Sequence, residues 1–391
     1  MKQRLREIII SVTNRCNLRC AMCHIPLSPA PEMSSGEIKE LILDAASLHP
    51  KRVVFSGGEP LLRSDIFELL KFVQQQRINA CLTSNGMLID DAVAEKLVDC
   101  GVGVVNISIE GPAHVHDSLR GRGSFAKATR ALECLVRHKV EVSIATIVCR
   151  QNFNTLPYVM DLAHTYGITM VKFQPFSRIF LSEKEDGRKF FLPATAVRFV
   201  LKSIEETVRR AETYKISTNP VSYLYQIPAC ICGLPLDHAG TNCAAVWSSC
   251  SISSEGDIYL CWVLTDKVIG NTRKDRLSSV WGSAQHNRLR QALTTQGCRG
   301  CLMSCYDYNF SKFDLAEFIA TTARKLKKTK FYNRQYVRGR LYIKYLSGKI
   351  SKRLAGLITY RKKDLAEKQK HAIEEIRIAK CILKEKLDSP T

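Results

Sequence analysis

The chain has no uninterrupted apolar run of about 18 residues, so no membrane-spanning helix is expected. It also lacks a small-residue cleavage site after its first apolar run, Ile8–Val12, which follows the basic start Met1–Arg6. An export signal is therefore not expected, and a cytoplasmic protein is. Acidic residues are in short supply, with 37 Asp+Glu against 58 Lys+Arg, a net charge of +21. Such an imbalance suits an anionic partner. However, no nucleic-acid-binding fold is legible, and residues 306–391 alone hold 22 Lys+Arg against 9 Asp+Glu. The excess thus belongs mainly to a C-terminal tail, which argues against nucleic acid as the principal partner.

What remains is ordinary globular material: 391 residues, 45% hydrophobic and 24% charged, long enough for two domains. The 16 cysteines are the anomaly. Without export, disulfides are disfavoured and metal ligation is the better account of the clustered ones. The scattered Cys81, Cys100, Cys134 and Cys149 fall in apolar patterns and are expected in the core.

Three cysteines organise the first half. Cys16, Cys20 and Cys23 follow directly on the apolar run Ile8–Val12. A strand leading into a tight loop would converge three thiolates, which suit zinc or an iron–sulfur cluster. A zinc knuckle would need a fourth ligand, and His24, adjacent to Cys23, is badly placed to be one. A four-iron cubane held by three cysteines leaves one iron open to a small chelating molecule. This spacing, three residues and then two, resembles that of the radical S-adenosylmethionine (SAM) superfamily.

Up to about residue 180, β-branched runs alternate with helical patterns. Strands are expected at Glu7–Thr13, Arg52–Phe55, Ala80–Thr83, Val104–Ile109, Glu141–Val148 and Met170–Gln174. Helices are expected near Ser35–Leu48, Asp65–Gln76, Asp90–Asp99, Ser124–His138 and Thr155–Tyr166, with starts at Ser34 or Ser35, Ser64 and Ser124. Alternation of this kind argues an α/β fold with a parallel sheet. With the resemblance, it implies a partial (β/α)6 radical SAM barrel over residues 1–180. Ligands in such folds gather at the carboxyl ends of strands.

Further stretches resemble the family's motifs at such ends. Ser56-Gly57-Gly58-Glu59-Pro60 matches its GGEP motif, which implies that Gly57, Gly58 and Glu59 hold the methionyl amino group of SAM. Ser108 and Glu110 alternate onto one strand face and are candidates for ribose or methionyl contacts, although the family usually has Asp where Glu110 stands. Asn152, after the fifth strand, is a helix cap and a further SAM candidate. Thr83-Ser84-Asn85-Gly86 is expected to be structural. His116-Asp117-Ser118-Leu119-Arg120-Gly121 resembles the family's segment leading into the next helix; loop ordering and capping are expected of it, with His116 and Arg120 as substrate-facing alternatives.

After a connector at 181–229, which includes an amphipathic helix over Ala194–Thr213, cysteines cluster again. Ser251–Cys261 is expected to be a hairpin turning at Glu255-Gly256-Asp257. Gly256 and Cys261 reproduce the glycine–four–cysteine spacing of the SPASM and twitch extensions of radical SAM enzymes. The resemblance implies a small cysteine-rich α+β domain over 230–305, with Cys243, Cys261, Cys298 and Cys301 holding an auxiliary 4Fe–4S cluster and Cys305 an extra ligand. The same set would serve a Cys₄ zinc site. Cys230 and Cys232 form a separate pair, and Cys250 is expected in the core.

Residues 306–391 form a basic extension with helical apolar spacing through Ile343, Leu346, Ile350, Leu354 and Leu357. A solvated helix, or peripheral contact with an anionic membrane surface, is the expectation. For the whole chain, the resemblance implies reductive cleavage of SAM to a 5′-deoxyadenosyl radical. That radical abstracts hydrogen from a peptide or a small molecule such as a sugar. The electron donor would be a flavodoxin or ferredoxin. The alternatives are a nucleic-acid-modifying radical enzyme and a non-catalytic iron–sulfur redox sensor; the latter would have no need of a SAM pocket.

Overall fold

The computed structural model describes residues 5–28, 30–181, 186–234, 245–264, 267–295 and 302–303. The chain divides into two compact units, Met1–Ser311 and Lys312–Thr391. The second, with the basic tail, lies outside the described residues.

A nine-stranded sheet runs through the first unit. Its strands are β1 (Glu7–Thr13), β2 (Arg52–Gly57), β3 (Asn79–Ser84), β4 (Val104–Ser108), β5 (Val142–Val148), β6 (Met170–Pro175), β7 (Ser249–Ile252), β8 (Asp257–Tyr259) and β9 (Val268–Asn271). The spatial order is β6-β5-β4-β3-β2-β1-β7-β8-β9. The first six strands are parallel neighbours in sequence order, the arrangement of a partial (β/α)6 barrel. The helices between them are α1 (Ser35–Ala46), α2 (Ile66–Gln75), α3 (Asp91–Asp99), α4 (Ala113–Arg120), α5 (Ser124–Arg137), α6 (Leu156–Thr165) and α7 (Val197–Tyr214).

Local chemistry sets the boundaries. Ser34 caps α1 in a reciprocal box with Glu37. Asp90 caps α3 through Val93 N. The second helix has Asp65 rather than Ser64 at its N-cap position. The stretch 113–120, expected as loop, forms α4 instead. Gly121 and Gly123, both at positive φ, separate it from α5.

The core lies between sheet and helices. Ile8, Ile10, Val53, Phe55, Leu82, Val105 and Ile144 meet Ile38, Leu69, Leu97, Leu132 and Val159 from the helices, all buried. Every residue of β1 is buried, because β1 is a central strand. It pairs with β2 on one side and, in parallel, with β7 on the other, from Glu7↔Ser249 to Ile10↔Ile252. The cysteine-rich region therefore continues the same sheet, and β8 and β9 follow antiparallel. The expected hairpin is β7–β8, with Gly256 at φ +92 in its turn. No helix among the described residues is long and apolar enough to cross a membrane.

Candidate active site

The parallel strands deliver their carboxyl ends to one rim, and β1 feeds the cysteine loop there. The loop folds on itself through Cys23 N to Cys20 O (3.1 Å) and Arg19 Nη1 to Cys16 O (2.9 Å), and it docks on α4 through Ala21 N to Leu119 O (2.8 Å). All three thiols are half-buried. Burial pushes each above its ordinary range, Cys23 to about 11, and Cys16 and Cys23 also feel the charge of Cys20. A cation at this point would reverse that shift and hold them as thiolates. Among the described residues, no three His, Cys, Asp or Glu side chains stand close enough to share one metal ion. Three soft thiolate donors on one loop, with no fourth protein ligand beside them among the described residues, are the donor set of a four-iron cluster that leaves one iron open.

Donors already surround the sulfurs. Leu18 N (3.5 Å) and Asn85 Nδ2 (3.7 Å) approach Cys16 Sγ, and Arg120 Nη1 approaches Cys20 Sγ (3.9 Å). Behind the loop lies a separate apolar cluster of Met22, Val115, Leu119, Cys149, Phe176, Leu181 and Phe190, against which Cys20 packs. It keeps water from that side.

Gly57 and Gly58 are pressed against the cysteine loop. A Cβ on Gly57, at φ +120, would stand 2.3 Å from Thr13 O, and one on Gly58 2.1 Å from Arg15 O. Gly58 N donates to Thr13 O (2.7 Å) and Glu59 N to Arg15 O (2.8 Å). The two glycines thus dock the second strand's turn onto the loop. An ammonium group arriving here would be held by acceptors, that is, by carbonyl oxygens of the turn. Glu59 is fully buried and accepts from Leu61 N, Ser84 Oγ and Asn85 N at 3.2, 3.0 and 2.8 Å. Burial lifts its carboxyl to about 6 against these three donors. Glu59 therefore ties the Gly-Gly turn to the end of β3, and Asn85 extends from that tie to Cys16.

Glu110 and Asn152 are likewise fully buried. Glu110 Oε1 accepts from Arg120 Nε (2.8 Å) and Nη2 (2.5 Å), and Oε2 from Ile147 N (2.8 Å). Burial pushes the Glu110 carboxyl above its ordinary range against the pull of Arg120 and Ile147 N, while Arg120 itself stays charged. Asn152 accepts from Cys149 N and donates to Glu110 O and Ile147 O. Its amide is thus committed to lacing β4 to β5. Ser108 sits buried at the end of β4. His116 accepts from Glu110 N at Nδ1 (3.2 Å), which places its proton on Nε2. Burial drives its pKa down to about 3, so it is neutral. Asp117 caps α5 through Gly123 N and Phe125 N, the expected capping role.

One network was invisible in the sequence. Glu32 accepts from Thr13 Oγ1 and from Arg15 at Nε (2.9 Å) and Nη2 (3.2 Å). Buried Arg63 donates to Val12 O, Met33 O and Asp65. Apart from Arg63 and Asp65, the partners lie about 20 to 50 residues apart in sequence, and they carry no shared motif. The cysteine-rich hairpin joins the network. Met33 N donates to Ser254 O (2.8 Å), Arg273 Nε to Glu37 Oε1 (2.7 Å) and Arg273 Nη2 to Glu32 O (3.3 Å).

Of the expected auxiliary ligands, Cys261 is described; it is buried just past β8. Cys243, Cys298, Cys301 and Cys305 lie outside the described residues. Cys250 is fully buried in β7, as expected, and Cys232 is buried in the main core with its thiol pushed up to about 12. Arg290 lies between the rings of Trp247 and Trp281, at 5.0 and 4.6 Å.

Comparison with known proteins agrees with this geometry. Residues 10–163 match the model of the radical SAM superfamily, and residues 243–302 match SPASM, an iron–sulfur cluster-binding domain. The chain is similar to Fe-coproporphyrin III synthase of Methanosarcina barkeri, 32% identical over 176 residues, 44% of each chain, so that it spans under half of that relative. It is also similar to mycofactocin maturase MftC of Mycolicibacterium smegmatis, 29% identical over 304 residues, covering 75% of this chain and 74% of that one. Its fold matches the crystal structure of Streptococcus suis SuiB bound to S-adenosylmethionine, with a TM-score of 0.59 over 74% of this chain and 68% of that one, at 17% identity. The chain thus carries a radical SAM domain, over residues 10–163, and a SPASM-type domain, over residues 243–302. Its cofactors are accordingly SAM, a SAM-binding 4Fe–4S cluster and auxiliary iron–sulfur ligation in the SPASM region.

Proposed function

We propose that this enzyme uses Cys16, Cys20 and Cys23 to hold the SAM-cleaving cluster and modifies a peptide or a small molecule by hydrogen-atom abstraction. The observation that carries the reading is the close docking of Gly57 and Gly58 on the three-cysteine loop, which a binding-only protein has no reason to build. When bound, the cluster and SAM supply one-electron cleavage of the sulfonium and a radical able to take an unactivated hydrogen. The chain supplies the rest. The three thiolates hold three irons, and the carbonyls at Gly57 and Gly58 accept the methionyl ammonium. Glu59, Glu110 and Asn152 act by fixing the rim, since their polar atoms are engaged by protein partners. Ser108 is left as the side chain for ribose or methionyl contact. Cys243, Cys261, Cys298 and Cys301, with Cys305, form the auxiliary site, and an external one-electron protein donor feeds the system.

The likeness to a maturase, running through both matched regions, favours peptide modification. A tetrapyrrole is the second reading, supported by the higher identity, over a shorter stretch, to the coproporphyrin synthase. Dithionite-driven formation of 5′-deoxyadenosine tests the central claim. Replacing Cys16, Cys20 and Cys23 together with Ala should abolish it while the auxiliary iron remains. Wild-type turnover in that variant would refute the assignment.

A further inference from the structure

Arg120 is held in an unusual way. Glu110, fully buried at the end of β4, takes both Nε and Nη2 of the guanidinium on a single oxygen, Oε1, while Ile147 N occupies Oε2. The fork is thereby fixed and the remaining nitrogen, Nη1, is turned toward Cys20 Sγ, 3.9 Å away. The side chain of Arg120 is 12% exposed and that of Glu110 not at all, so water screens the pair poorly. The three cysteines are not equivalent here. Cys16 has neutral donors, Leu18 N and Asn85 Nδ2. Cys20 alone has a charged donor on its sulfur, and it also packs on the apolar cluster around Met22 and Phe176. Glu110 holds the guanidinium by Nε and Nη2, so the cation stands between its carboxylate and the Cys20 sulfur.

We propose that Arg120, clamped by Glu110, sets the reduction potential of the cluster held by Cys16, Cys20 and Cys23 by placing a fixed positive charge on the Cys20 ligand. This rests on the assignment of those cysteines to the cluster. Charge and hydrogen bonds at ligand sulfurs are established determinants of iron–sulfur potentials. A reduced cluster carries one more negative charge than an oxidised one, so a nearby cation favours reduction. Arg120 is in this sense a positioning residue, acting through the sulfur of Cys20.

The test is a reductive titration of the full chain followed by electron paramagnetic resonance, without SAM, so that substrate binding does not enter. Arg120→Met should lower the potential of the first cluster by at least about tenfold in the reduction equilibrium, ~59 mV for one electron. Arg120→Lys, which keeps the charge, should remain nearer the wild type. Glu110→Gln should shift the potential less, or upward. The auxiliary signal in the same sample should not move. If Arg120→Met fails to assemble the first cluster, Arg120→Lys and Arg120→Gln decide between them by the order of their potentials. Unchanged potentials in the Arg120 variants, or a shift of the same sign and size in Glu110→Gln, would overturn the proposal. A wild-type chain without a first-cluster signal would overturn the cluster assignment instead.

Discussion

Gly58→Ala should dismantle the cysteine loop without unfolding the protein. The added Cβ would stand 2.1 Å from Arg15 O, 2.7 Å from Arg15 C and 2.9 Å from Asn14 O, all backbone atoms that no rotamer change can move. Ordinary contact begins near 3.4 Å, so the loop must retreat by more than an ångström. That movement breaks Gly58 N to Thr13 O and Glu59 N to Arg15 O. Two such bonds contribute about 0.5–1.5 kcal/mol each, and overpacking adds about 1–3 kcal/mol. The total, about 2–6 kcal/mol, is concentrated on the loop. Gly36→Ala is the control, because its nearest neighbour is Ser34 Oγ at 3.9 Å and it sits in α1, where alanine favours the helix. Iron content and 5′-deoxyadenosine formation report the outcome. Gly58→Ala should lose the first cluster's iron and its turnover while keeping the auxiliary iron; Gly36→Ala should behave as wild type. Full iron and wild-type turnover in Gly58→Ala would refute the claim that close docking of this turn shapes the site.

Three further outcomes follow from the same geometry. Because burial lifts Glu59 to about 6 from 4.5, the folded chain holds that proton more tightly than the unfolded one. Its contribution is fully present below 4.5 and is lost as pH rises through 6; the unfolding free energy of the wild type relative to Glu59→Gln should thus fall by about 2 kcal/mol from pH 4.5 to 7, and a flat difference would show that the carboxyl is not desolvated. Replacing Cys261 with Ala should remove auxiliary iron while the first cluster persists, whereas zinc in the wild-type auxiliary site with no change of iron would overturn that assignment. Glu32→Ala should loosen Thr13 and Arg15 together, lowering occupancy of the first cluster more than it lowers the melting temperature; normal iron loading would show that the brace is dispensable.

The strands and most helices were legible because their signals are local. Alternation, apolar periodicity and caps such as Ser34 with Glu37 act within a few residues. Cys16, Cys20 and Cys23 were legible for the same reason, since one short loop must bring them together. Residues 113–120 were misjudged as loop because the short helix α4 is polar on most of its surface and its buried face, Val115, His116 and Leu119, is set by packing under the cysteine loop. Glu59 and Glu110 could be singled out by sequence, but not assigned. The same carboxylate can face a ligand or a protein donor, and only the fold brings Ser84, Asn85, Ile147 and Arg120 to them.

The sequence by itself determined the class of chemistry, because ligand spacing in a loop and a Gly-Gly turn at a strand end are short-range facts. Tertiary structure alone decided that β7 pairs with β1 and makes the SPASM region an extension of the barrel sheet. It alone decided that Glu32 and Arg63 brace the loop and that Arg120 reaches Cys20 across 100 residues of chain. Such contacts leave no periodic trace, since parallel strands and buried ion pairs are joined by packing across the sheet and not by proximity along the chain.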